Sequence, residues 1–116
     1  MPVSYKKTDN GSKVQITITG RFDYRLSEAF RDTYRDDVNK EGVIYRVDLR
    51  YATSIDRAAL GMLLLLREHA KDRGGRVLLE HPSRATGEAL ILAQFEQLFT
   101  ISGIDALVPS EAVQAQ

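Results

Sequence analysis

Residues 43–70, VIYRVDLRYATSIDRAALGMLLLLREHA, constrain the fold more than any other part of the chain. Val43, Ile44, Val47 and Leu49 make a short strand-forming run, and the polar Arg50-Tyr51-Ala52-Thr53-Ser54 that follows breaks the apolar pattern as a connection does. Asp56 stands where it can cap a helix, and residues 58–70 are almost all strong helix formers. Leu60, Leu63, Leu64 and Arg67 share one face of that helix at three- and four-residue spacings, while Met62, Leu65 and Leu66 fall elsewhere on the wheel. A helix apolar round most of its circumference needs cover on more than one side. The sheet and a third helix are expected to supply it. Met62 or Leu66 is expected to stay partly exposed, forming a docking patch beside the Asp56 turn.

The remaining segments fit round this unit. Val3 and Tyr5 open a strand, Asn10-Gly11 is a strong hairpin signal, and residues 13–19 alternate, with Val14, Ile16 and Ile18 on one side and Gln15, Thr17 and Thr19 on the other. Gly20 is expected to end that strand, leaving Phe22 and Asp23 in a connection. A surface helix over 26–38 follows, with Leu26, Phe30, Tyr34 and Val38 at four-residue spacing and Asp36-Asp37 as a solvated pair. Gly74-Gly75 stops the organising helix. Val77, Leu78 and Leu79 make another strand, and Ser83 caps a helix over 84–94 with a small-residue face of Ala85, Ala89, Leu92 and Ala93. Residues 97–101 read as a last edge strand, Ile104, Leu107 and Val108 as the final packing residues, and 109–116 as a frayed tail. Residues 1–108 are therefore one domain of the α/β class, a mixed sheet of four to five strands with three or more covering helices and residues 43–49 at its centre.

Composition narrows the function. Lys plus Arg and Asp plus Glu both number 16 and no basic block occurs in the sequence, so a nucleic-acid partner is not expected. There is no cysteine, which removes disulfide and thiolate chemistry. No run approaches the roughly 18 apolar residues of a membrane span, and the N-terminus has no signal-peptide core, so a soluble, cytoplasmic chain is expected. His69 and His81 have no carboxylate or cysteine at ligand spacing and read as surface or secondary packing residues. Ser83 lies in no nucleophile elbow, and Gly74-Gly75 is a helix stop rather than a phosphate-cradling loop. No enzyme, metal or cofactor is expected.

Gly20-Arg21-Phe22-Asp23, Val47-Asp48-Leu49 and above all Ile55-Asp56-Arg57-Ala58-Ala59-Leu60-Gly61-Met62-Leu63 resemble the STAS domain of the anti-sigma-factor antagonist type. The resemblance covers nearly the whole chain. Asp56, Ala59, Leu60 and Gly61 match the family pattern, and Asp23 matches its acidic residue near the first crossover. It implies a switch that binds a kinase-type anti-sigma factor and releases it once a serine after the Asp is phosphorylated. A phosphate there adds roughly −1.5 to −2 charge at a helix N-terminus. In this chain the two positions after Asp56 are Arg57 and Ala58, and neither carries a hydroxyl. The ordinary phosphoacceptor is therefore absent, with Ser54 and Thr53 the nearest hydroxyls before the Asp, and the sequence leaves open whether Arg57 is the native residue.

Two readings of Arg57 stand: a cation kept against the helix dipole to pair with a partner, or an exposed Arg offset by Asp56. Asp56 can cap, contact a partner, or both, and Asp23 is a loop acid singled out by the resemblance. The expected partner surface comprises Asp23, Ser54, Asp56, Arg57, Ala58, Gly61, Met62 and Leu66, and the expected partner is an anti-sigma factor or a phosphatase-linked response regulator. The alternative is a non-phosphorylated structural subunit bracing a transporter ATPase or a signalling scaffold. A small-ligand site at the Asp23 and Asp56 end of the sheet is the third reading. The oligomeric state is not legible.

Overall fold

A computed structural model describes residues 1–37 and 40–103. Strand β1 (Val3–Thr8) turns through a short 3-10 segment (Asp9–Gly11) into β2 (Lys13–Phe22), pairing antiparallel from Val3 opposite Ile18 to Thr8 opposite Lys13. The hairpin read from Asn10-Gly11 is present, with Asp9, Asn10 and Gly11 all in the left-handed region that Asn, Asp and Gly tolerate best.

From β2 onward the chain steps in one direction. β3 (Ile44–Ile55), β4 (Arg76–Glu80) and β5 (Thr100–Ser102) each add in parallel to the strand before, giving the order β1-β2-β3-β4-β5 with β3 in the middle. The crossovers carry α1 (Ser27–Asp32), α2 (Arg57–Asp72) and α3 (Arg84–Leu92). Three right-handed crossovers taken in one direction place their helices on one face of the sheet. Burial agrees. Val14, Ile16 and Ile18 of β2, Tyr45, Val47 and Leu49 of β3, and Val77 and Leu79 of β4 are buried on the helix side, while Arg46 and Arg76 on the other side are exposed. A mixed sheet covered on one face is what the alternating strands require.

Several expected boundaries are corrected. Gly20 does not end β2. It takes a positive φ within a stretch of irregular pairing, and the strand runs on to Phe22, which is buried rather than in a connection. Likewise, residues 50–54 are not a connection: β3 continues through them to Ile55, paired with β2 out to Phe22 opposite Ile55, whereas its pairing with β4 stops at Asp48 opposite Glu80. A strand paired on one side with little to bury can afford polar residues, which is why its pattern reads as a turn. The first helix is shorter than expected, a 3-10 turn (Tyr24–Leu26) leading into α1, and Val38 lies outside the described residues. The third helix ends at Leu92 and buries Thr86, Gly87 and Leu90, while the expected small-residue face leaves Ala85, Leu92 and Ala93 exposed. The last strand begins at Thr100, after a 3-10 turn (Phe95–Gln97). The expected final packing residues Ile104, Leu107 and Val108 and the expected tail 109–116 lie outside the described residues.

The organising helix is well anchored. Its buried face is Ala59, Met62, Leu63, Leu66 and Ala70, and its chief helical neighbour is α1 rather than α3. At its C-terminal end the Gly75 amide donates to the Ala70 carbonyl at 2.8 Å, the Gly42 amide to the Arg73 carbonyl at 2.8 Å, and the Arg76 amide to the Val43 carbonyl at 3.1 Å. A Cβ on Gly75 would run into that Val43 carbonyl, so the glycine is required by close backbone approach.

At the same end, Asp37 is a second correction to the sequence reading. It is 1% exposed rather than solvated, accepting from Lys7 Nζ at 2.8 Å and from the Tyr45 hydroxyl at 2.9 Å. Tyr34 and Tyr45 enclose His69, with ring centroids 4.8 and 5.9 Å from it. Among the described residues, the His69 Nε2 is buried without a hydrogen-bond partner. Burial, and then Arg73, push the His69 pKa down, opposed by Asp37 and Asp72. Burial raises the Tyr45 phenol, and its bond to Asp37 adds to this.

Candidate functional site: the acid-capped turns at the C-terminal end of the sheet

β2 and β3 end side by side, and the Asp56 amide donates to the Phe22 carbonyl at 3.2 Å. Each strand is followed at once by a carboxylate that caps the next helical segment. Asp23 accepts from the Arg25 amide at 3.0 Å, opening the 3-10 turn, and Asp56 accepts from the Ala59 amide at 2.8 Å, opening α2. The third crossover repeats the arrangement, with Ser83 capping α3 while its hydroxyl donates to the Ala52 carbonyl at 2.8 Å. That last bond ties the start of α3 to the far part of β3, and no local sequence pattern announces it.

The two acids have different surroundings. Asp23 is gripped by its neighbour, with Arg25 Nη2 2.7 Å from Oδ2, and this bond holds its carboxyl below the usual carboxylate range. Asp56 is exposed at the very start of α2, and its Oδ1 is engaged by the Ala59 amide. Arg57 and Ala58 are both exposed beside it. Ser54 and Thr53 are exposed as well, and Arg21 lies opposite Ser54 in the β2–β3 register.

The expected docking patch needs correcting. Met62 is 7% exposed and Leu66 is 0% exposed, so neither stays partly open. The inward stripe runs 59, 62, 63, 66, 70, not through Leu60 and Leu64. The apolar residues that face outward are Leu64 and Leu65, at 36% and 57% exposure. They continue a stripe from Arg57 and Ala58 through Gly61, one and two turns along. A Cβ on Gly61 would meet nothing within 4 Å, so internal packing does not demand a glycine there. The stripe is thus a polar first turn, a notch at Gly61, and an apolar pair.

A groove of about 410 Å³, open to solvent, is lined at this end by Pro2, Thr19, Arg21, Arg25 and Leu26 and by neither Asp23 nor Asp56. Among the described residues no helix is long and apolar enough to cross a membrane.

The result is a sheet covered on one face, with the segments that follow β2, β3 and β4 all capped at a common end by Asp23, Asp56 and Ser83. The chain belongs to the STAS domain family: the family model described as "Mlab, STAS domain" matches residues 6–109. It is 41% identical over 102 residues to a STAS-domain containing protein of Pseudomonas aeruginosa (strain UCBPP-PA14), covering 88% of this chain and 100% of that one. Solved structures share the fold at low identity. The unphosphorylated anti-sigma factor antagonist SpoIIAA superposes with a TM-score of 0.73 at 14% identity, covering 98% of this chain and 97% of that one. An anti-sigma factor antagonist from Mycobacterium paratuberculosis gives 0.68 at 17% identity, covering 97% and 91%. A sulfate transporter family protein from Wolinella succinogenes gives 0.68 at 18% identity, covering 83% and 81%.

Proposed function

We propose that this chain is a cytoplasmic anti-sigma-factor antagonist that acts by protein contact rather than by catalysis, engaging a kinase-type anti-sigma factor or a phosphatase-linked response regulator. Its partner surface is the Asp23 and Asp56 turns together with the outward flank of α2. The observation that carries this reading is the stripe of exposed Arg57, Ala58, Leu64 and Leu65, with half-buried Gly61 between them, running directly from the Asp56 cap. Polar residues at its head give orientation, and the notch at Gly61 lets a partner's backbone or side chain come close. Met62 and Leu66 act behind this surface as core. Residues 1–108 are the binding domain.

Arg57 and Ala58 offer no hydroxyl where the family's switch is modified, so binding is constitutive in this form of the chain. Tagged chain is captured from its source cells, with mass spectrometry of the partners and of the bait. Recovery of an anti-sigma factor or a phosphatase-linked regulator with an unmodified bait supports the reading. Phosphate on Ser54 or Thr53 overturns constitutive binding, and an obligate complex with a transporter ATPase or a signalling scaffold overturns the antagonist role in favour of a structural subunit.

A further inference from the structure

The face of the sheet opposite the helices carries a gathered positive charge that the linear sequence disperses. Pairing places Lys13, Ile44 and Arg76 in one cross-strand rank and Lys6, Gln15, Arg46 and Leu78 in the next. Directly paired residues share a face, so the four cations surround Ile44 and Leu78, which are only half-buried. Two adjoining grooves of about 250 and 190 Å³ lie there, both lined by Lys13 and Arg46, and no acidic residue lines either. Internal pairing uses part of this charge. Arg46 meets Glu80 at 3.3 Å and Lys13 meets Asp9 at 3.2 Å, the latter between two half-exposed side chains. The chain as a whole has no net charge, so this surplus is local.

We infer that this open face is a second docking surface, for an acidic amphipathic helix of a partner protein. The spacing fits. Lys13 and Arg76 stand two strands apart, roughly 10 Å, close to the roughly 10.5 Å between helix residues i and i+7. Carboxylates at those positions reach the two cations while apolar residues between them cover Ile44 and Leu78. The width fits too. Two ranks offer a band about the breadth of one helix, and the next rank holds Asp48 and Glu80. A bilayer or a nucleic acid, broader and uniformly anionic, would press its phosphates against those carboxylates, which a single helix avoids.

The test titrates the full chain, 15N-labelled, with a short helical peptide bearing Glu at i and i+7 and Leu between, and with its Gln counterpart. Expected are saturable amide shifts centred on Lys13, Ile44, Arg46 and Leu78, about tenfold weaker binding to the Lys13→Glu/Arg76→Glu variant, and no response to the Gln peptide. Because reversal can disturb the sheet, Lys13→Gln/Arg76→Gln is measured beside it, and a weakened response in that folded variant is also required. Shifts centred on residues 57–65, equal binding of the Gln peptide, or tighter binding of phosphatidylglycerol vesicles or duplex DNA to the same residues would each overturn the inference. Leu65→Asp leaves this response unchanged, so its outcome is separate from that of the α2 surface.

Discussion

The two ends of the parallel sheet use carboxylates in opposite ways. At the N-terminal end, Asp37 is buried and satisfied from two sides, by Lys7 and Tyr45, beneath the rings that enclose His69. At the C-terminal end, Asp56 is exposed and caps α2 through the Ala59 amide, while Asp23 caps its 3-10 turn and pairs with the exposed Arg25. A buried acid that loses its place leaves unpaired groups in a medium that cannot solvate them, whereas a surface acid that is removed is replaced by water. The first end therefore holds the fold together, and the second, where the partner surface is proposed, can change at less cost to stability.

The sharpest challenge to this contrast is Asp37→Asn, which leaves the Lys7 ammonium without its counter-charge. It is expected to cost about 3 kcal/mol in urea denaturation and to leave partner affinity unchanged in whatever fraction stays folded. A loss of affinity with no loss of stability would reverse the assignment of the two ends. Asp56→Ala is expected to cost only about 1 kcal/mol, the usual value of a cap, yet to abolish capture of the partner. Gly61→Ala separates the two properties most cleanly. A methyl there meets open space, so helix propensity raises stability by up to about 1 kcal/mol while the filled notch weakens binding. Calorimetry that finds both moving together would remove the notch from the partner surface.

A pH titration tests the buried end. The His69 pKa lies below its ordinary 6.5 in the folded chain, so the unfolded chain binds the proton first. The stability this histidine contributes is complete above about pH 6.5 and is lost as pH falls through that value toward the depressed one. Melting measured from pH 7.5 down to 5.5, where carboxylates stay ionised, should show this decline, and His69→Phe should flatten it. The smallest effect on stability is expected from Leu65→Asp, within about 0.5 kcal/mol, with partner binding the property that changes.

Much of this was legible in the residues. Alternation in Val14, Ile16 and Ile18, the Asn10-Gly11 turn, the Asp56 and Ser83 caps and the Gly74-Gly75 stop all act locally, and each stands where its local chemistry puts it. What escaped depends on partners distant in the chain. The extension of β3 through residues 50–54 has β2 as its strand partner and is tied besides to the distant Ser83, so its polar composition looks like a loop. The buried side of α2 could not be chosen by spacing because Leu60, Leu64 and Leu65 compete with Met62, Leu63 and Leu66 for it, and only the position of the sheet decides. Asp37 looked solvated because Lys7 and Tyr45, which bury and bond it, come from two strands, β1 and β3. The cationic ranks of the open face are invisible for the same reason, since register assembles them from four strands.

The close approach of Gly75 to Val43 has a consequence for any library built on this domain. Gly75 leaves no room for a Cβ, and the bonds from Gly42, Gly75 and Arg76 fix the length of the segment between α2 and β4. Selection for folded variants will return glycine at this position with neither insertions nor deletions beside it, while positions 57, 58 and 65 will diversify freely until a partner is added to the screen.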